Sequence, residues 1–200
     1  MFTLYLYPFG LFAFVFGAVA LGVWLRKHRS EENAQRSSRI MQFLFFAGLS
    51  PPPIIAVFYP GLTHLDELVG FRSLSPRPFF LAIGIILALP GVYFLVAPNI
   101  SLRKIGSGAN AFRLTKKVVD SGVYAVTRNP MSLGYYLLAL AIAFVSGSTL
   151  ATIAVLFTLI PAHLFYLKFF EEVELELRFG ESYREYKRKV PFLIPMCCLR

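Results

Sequence analysis

Five stretches of the chain carry almost no charge: Tyr7 to Leu25, Ile40 to Tyr59, Pro78 to Ala97, Leu133 to about Val145, and Leu150 to Phe170. A helical crossing of a bilayer takes about 20 apolar residues, so the pattern predicts an all-α polytopic membrane protein with about five transmembrane helices. Pro51, Pro52 and Pro53 remove three backbone donors inside the second span, and Pro90-Gly91 interrupts the third; both predict a bend or an unwound turn. Only Ser146-Gly-Ser-Thr149 separates the last two runs. They therefore read as a helical hairpin whose outer ends, Arg128 and Glu171, return to one membrane face. A four-span arrangement would require the proline-rich second span to be re-entrant.

The polar segments between the spans differ in charge. A polar loop runs to Arg39, and the loop from Pro60 to Arg77 is balanced, with His64, Asp66, Glu67, Arg72 and Arg77. Asn99 to Arg128 is strongly basic, with Arg103, Lys104, Arg113, Lys116, Lys117 and Arg128 against the single acid Asp120. Alternating sides places eighteen of the twenty Lys and Arg together. By the positive-inside rule that side is cytoplasmic, which predicts an N-terminus outside and a C-terminus and site inside. After the last span, Leu175, Phe179, Tyr183, Tyr186 and Val190 recur at spacings of four and three, interrupted at Gly180, opposite Arg178, Arg184 and Lys187 to Lys189. Such a tail reads as a helix on the anionic leaflet or as a lid over the cytoplasmic ends of the spans.

Composition narrows the class. Apolar side chains make up 56% of the 200 residues and charged ones 16%, where a soluble domain has about 25% charged. The net charge of +9 does not imply a nucleic-acid partner, because the basic residues lie between apolar runs and not on a soluble face. Met1 to Gly10 lacks the basic start of a cleaved signal peptide, so the first run reads as a retained span and residues 1–200 as a single membrane domain: three N-terminal spans over 1–100, then a cofactor-binding loop, hairpin and cap over 101–200. Cys197 and Cys198 are adjacent and give no disulfide framework; a prenylation signal at Cys197-Cys-Leu-Arg200 is only faintly suggested. No metal-ligand spacing, Ser or Cys triad, or dinucleotide fingerprint is present, Gly106-Ser-Gly108 being too short.

The chemistry concentrates in Ser121 to Gly134 and in Glu171-Glu172. Carboxylates at the end of an apolar span require a cation. Lys168, three residues before Glu171, offers a local salt bridge; a ligand ammonium is the alternative. Arg128, just before Asn129-Pro130, either snorkels to phosphate headgroups or grips a carboxylate. Gly122 allows a close backbone approach and Tyr124 offers an aromatic surface. His163 reads as a hydrogen-bonded packing residue or a catalytic one.

Gly122-x-Tyr124-x-x-x-Arg128-Asn-Pro130-x-x-x-Gly134, followed by Glu171-Glu172-x-x-Leu175-x-x-x-Phe179-Gly180-x-x-Tyr183-x-x-Tyr186-x-x-x-Val190-Pro191, closely resembles the membrane methyltransferases of the isoprenylcysteine carboxyl methyltransferase and phospholipid methyltransferase group. The resemblance covers roughly the last 90 residues; the first 100 match in hydropathy alone. It implies S-adenosylmethionine bound without a Rossmann sheet by Lys116, Lys117, Val118, Val119, Gly122, Tyr124, Asn129, Pro130, Met131 and Ser132. It also implies Arg128, Glu171 and Glu172 as catalytic residues, no metal, and an apolar or lipid-linked acceptor that enters from the bilayer. Asn129 stands where the family has histidine, Ser132 where it has tyrosine, and Leu167 where the prenylcysteine enzymes have an arginine. Two other readings stay open: an NADPH-dependent sterol reductase-like protein, which shares the Phe-Gly-x-x-Tyr-x-x-Tyr and Val-Pro pattern, and a non-catalytic member of the scaffold.

Overall fold

The computed structural model describes residues 2–104 and 116–195, and every regular element among them is helical. The helices are α1 (Phe2–Lys27), α2 (Glu31–Phe58), α3 (Leu62–Val69), α4 (Arg77–Lys104), α5 (Pro130–Ser146), α6 (Thr149–Phe179) and α7 (Glu181–Lys189). A single 3₁₀ turn, Gly122–Ala125, precedes α5. Four of these helices, α1, α2, α4 and α6, are long and apolar enough to cross a membrane. The fifth apolar helix, α5, has 17 residues, or about 25 Å at 1.5 Å per residue. The protein is thus an all-α multi-pass membrane protein. Arg113, Gly106 to Gly108, Cys197 and Cys198 lie outside the described residues.

Two boundaries differ from the expectation. The polar loop to Arg39 is short, because α2 already starts at Glu31: Ser30 caps it by accepting from the Asn33 N–H at 3.1 Å, and Glu31 and Glu32 favour the positive end of the helix dipole. At the far end of the chain the last span continues past Phe170 to Phe179, with ion pairs satisfying Glu172 and Glu174.

Nor does the triple proline break α2. The helix widens through a π turn, Leu44–Leu49, in which the Ser50 N–H reaches back five residues to the Phe45 carbonyl at 2.9 Å. It then resumes at Pro51, where a first helical turn needs no donor. The prolines still leave carbonyls unsatisfied, and in a membrane neighbouring protein must cover them. Gly10 of α1 packs directly on the Gly48 carbonyl. In α4 the helix runs on through Pro90 with no interruption.

The core lies between α1, α2 and α6, where Phe14, Leu25, Met41, Leu49, Leu167 and Phe170 are buried. In the same layer His163 is hydrogen-bonded through Nδ1 to the Tyr136 hydroxyl at 2.8 Å and surrounded by aromatic rings, the packing role foreseen for it. At one end of the bundle, Asp66 of α3 accepts hydrogen bonds from the Thr149 and Leu150 N–H groups and the Ser148 hydroxyl, and so caps α6. The Arg77 guanidinium donates to the Phe144 and Val145 carbonyls at the same end. The other end gathers Arg26, Arg128, Lys168 and Lys187, whose contacts are described below.

Helices α4 and α5 pack along each other on a seam of small residues, the usual way for helices to approach closely in lipid. A Cβ on Gly134 would lie 2.7 Å from the backbone of Phe94 and Leu95, and one on Gly91 2.8 Å from Leu138. Gly134→Ala therefore forces the helices apart at a backbone contact, with an expected loss of about 1–3 kcal/mol. Thermal unfolding of the purified protein in detergent checks this, and an unchanged midpoint would show that the seam yields freely.

Candidate active site

A cavity of about 170 Å³ opens where the segment before α5 meets the end of α6. Lys117, Val118, Val119 and Tyr124 form one wall, Arg128, Asn129, Pro130, Met131 and Ser132 a second, and Glu171 with Leu175 and Phe179 of α6 a third. Tyr183 and Tyr186 of α7 complete it, which places the apolar face of the tail over the cavity as a lid. Of the positions singled out in the sequence, Lys116, Gly122 and Glu172 do not line this space. Lys116 is exposed, and Gly122 adopts φ +62 beside Ser101, where it serves the turn.

The orientation of the acidic pair depends on a π turn late in α6, Leu167–Glu171, in which the Glu172 N–H reaches back to the Leu167 carbonyl. One extra residue in the turn changes which face each carboxylate occupies. Lys168 pairs with Glu172 at 3.3 Å, the i,i+4 partner, and not with Glu171, the i,i+3 partner the sequence had suggested. Glu172 is a hub: Arg128 Nη1 lies 2.8 Å from Oε1, and Lys187 Nζ 2.8 Å from Oε2. Burial acts to lower the Lys187 pKa, but hydrogen bonds to Glu172 and Glu176 outweigh it and hold the ammonium above its usual range. Glu171, by contrast, makes no ion pair or hydrogen bond among the described residues and faces the cavity.

The Arg128–Asn129 wall is fixed from behind by the strap that follows α7. The Arg128 N–H donates to the Pro191 carbonyl at 2.9 Å, and the Asn129 amide donates through Nδ2 to the Phe192 carbonyl at 2.8 Å. With Nδ2 so engaged, Oδ1 of Asn129 remains as an acceptor. The Phe192 ring carries the Lys168 ammonium 3.8 Å from its centroid. Above the cavity, the Tyr186 hydroxyl donates to the Tyr124 carbonyl at 2.7 Å. Burial pushes the hydroxyls of Tyr124, Tyr183 and Tyr186 well above the usual phenol range, and the Glu171 charge raises the first two further. All three are neutral donors at physiological pH.

Sequence reasoning missed Leu102, which lines the cavity, and several residues that buttress it from outside. Glu174 is buried against Arg178 at 2.8 Å, and their i,i+4 spacing was a readable signal. Lys187 had been assigned to the polar face, and Phe192 and Leu102 carried no signal of their own.

The cavity holds the Glu171 carboxyl group, which has no ion pair among the described residues, together with tyrosine hydroxyls, an amide acceptor and apolar surface. The phospholipid methyltransferase family matches residues 79–182, which is half of the chain and contains Gly122 to Gly134 and Glu171 to Phe179. The chain belongs to this family. A protein-S-isoprenylcysteine O-methyltransferase of Schizosaccharomyces pombe is 35% identical over 80 residues, which cover 40% of this chain and 33% of that relative. A probable protein-S-isoprenylcysteine O-methyltransferase of Oryza sativa subsp. indica is 26% identical over 152 residues, 74% of this chain and 78% of the relative. The chain thus spans about a third of the length of the first relative and most of the second. No solved structure matches it.

In this family member the Arg128–Glu172 pair joins the start of α5 to the end of α6, with both side chains almost fully buried. Glu172→Ala leaves the buried Arg128 without this ion partner and is expected to cost about 3–5 kcal/mol, whereas Arg128→Ala leaves Glu172 paired with Lys168 and Lys187 and is expected to cost less. The double variant should lose much less than the sum, because one interaction is being counted twice. Thermal unfolding of the four proteins checks this; strictly additive losses would mean that the pair does not hold the hairpin closed.

Proposed function

We propose that the protein is an S-adenosylmethionine-dependent methyltransferase that acts on a lipid-like or prenylated acceptor at the cytoplasmic face of a membrane. The observation that carries this reading is Glu171: a carboxyl group with no ion pair or hydrogen bond among the described residues, turned into a cavity it shares with Tyr124 and Asn129 to Ser132. Such a group at the edge of hydrocarbon calls for a cationic or hydrogen-donating ligand.

The donor set fits the methyl donor. Tyr124 and the hydroxyls of Tyr183 and Tyr186 suit a nucleoside with its hydroxyl groups, Val118 and Val119 offer apolar surface to a flat ring, and Asn129 Oδ1 suits an amine. When bound, the methyl donor supplies an activated methyl group on a sulfonium, which an oxygen, nitrogen or sulfur nucleophile displaces in line, the C–S electron pair staying on sulfur. The protein's part is to orient and desolvate: proximity alone is worth several kcal/mol. Glu171 lies at the end of the cavity nearest the spans, where it orients the acceptor and, if the nucleophile is a neutral amine, takes up the proton that the methylated nitrogen releases. Arg128 and Glu172 hold the walls together. The excess of Lys and Arg at this end supports a cytoplasmic site and an N-terminus outside. The family match and the names of the relatives favour methyl transfer over the reductase reading.

Glu171→Gln should reduce methyl transfer by about 10²-fold or more, the usual contribution of a positioned acid or base, while S-adenosylhomocysteine still binds. Membranes incubated with radiolabelled methyl donor give the rate. Release of the label by mild base marks a methyl ester, and retention in extracted phospholipid marks an N-methyl headgroup. An unchanged rate would leave a non-catalytic member of the scaffold, and stabilisation of the wild-type protein by NADPH but not by S-adenosylhomocysteine would end the proposal.

A further inference from the structure

We infer that Arg26, on α1 and outside the segment that the family matches, is a positioning residue for Glu171. The inference rests on the role given to Glu171 above, and begins from the backbone. A π turn disturbs the four-residue ladder, so a carbonyl within it needs another donor, and at the edge of hydrocarbon water does not supply one freely. In the Leu167–Glu171 turn the Phe169 carbonyl accepts from Arg26 Nη2 at 2.7 Å.

The arginine is itself held in place. Nη1 donates to the Gly22 carbonyl at 2.8 Å, and the guanidinium lies 4.2 Å from the centroid of the Phe169 ring. Gly22 makes room for this arrangement, since a Cβ there would lie 2.8 Å from the same ring and 3.1 Å from Nη1. In the sequence Arg26 stands directly after the uncharged run Tyr7 to Leu25. The structure gives it a specific receptor one helix away.

The consequence is rotational. One residue more in the turn rotates the rest of the helix by about 100° relative to a regular α-helix. That rotation re-aims both acids together, so that Glu172 meets Arg128 and Lys187 while Glu171 faces the cavity. A regular helix would satisfy the Phe169 carbonyl internally. The Arg26 hydrogen bond thus selects the wide turn, and with it the direction of Glu171.

Two measurements test this. In a chain carrying Cys197→Ser, Cys198→Ser and Glu171→Cys, a small cationic methanethiosulfonate labels position 171 through the cavity. Adding Arg26→Ala should slow labelling about ten-fold, in keeping with the loss of one charge-assisted hydrogen bond. Arg26→Lys, which keeps a donor, should restore most of the rate, and Gly22→Ala, which crowds the ring with Arg26 in place, should also slow it. With native Glu171, Arg26→Ala should lower kcat about ten-fold with little change in KM for the methyl donor, yet add nothing to Glu171→Gln, because the two act through one group. An arginine that merely snorkels to headgroups predicts unchanged labelling and losses that multiply, and either result overturns the inference. If the wild-type protein transfers no methyl group, the functional reading falls, while the labelling rates still decide whether Arg26 sets the turn.

Discussion

The buried ion pair between Arg128 and Glu172 is the constraint around which the site is assembled. Its two members are 44 residues apart in sequence, one just before α5 and the other near the end of α6, so their contact requires the chain to leave the basic end and return to it. A charge pair withdrawn from water gains little by itself, because desolvation offsets most of the attraction. Its effect is one of specificity. Only one register of the hairpin gives Arg128 a carboxylate, and in that register Glu172 also meets Lys187 of α7, so the lid is fixed to the same atom group as the hairpin. The cavity is what remains between these attachments.

The lipid environment explains why so much of the fold follows from the handling of backbone carbonyls. Three π turns interrupt α2 and α6, at Leu44–Leu49, Val155–Leu159 and Leu167–Glu171. The first accommodates Pro51 to Pro53 and the second precedes Pro161. The third has no proline beside it; an arginine from a neighbouring helix occupies its carbonyl instead. Two of the turns are therefore written in the local sequence and one depends on a tertiary contact, and it is the third that aims the acids.

This difference marks how far the sequence could be read. The all-α polytopic fold was legible because a bilayer forces long uncharged runs, and the hairpin was legible because four residues between two such runs leave no other geometry. The convergence of residues 117–132 with Glu171 followed from that hairpin. The local capping of α2 was also present, in Ser30 followed by Glu31 and Glu32, but was outweighed by the polarity of residues 31–39. What sequence did not give was the assignment within Glu171-Glu172, because helical spacing assumes a constant 3.6 residues per turn and the π turn violates it. The contribution of Phe192 was hidden for a different reason, since a backbone carbonyl has no residue signature.

The strap formed by Pro191 and Phe192 separates insertion from maturation. Each span can enter the lipid on its own hydropathy, and helices then associate as a second stage. Yet the amide of Asn129 and the N–H of Arg128 find their acceptors only on a segment made some sixty residues later. During synthesis the hairpin therefore reaches the bilayer before its own binding surface has been fastened. A nascent protein is a complete passenger of the membrane for an interval in which it has no finished pocket to offer.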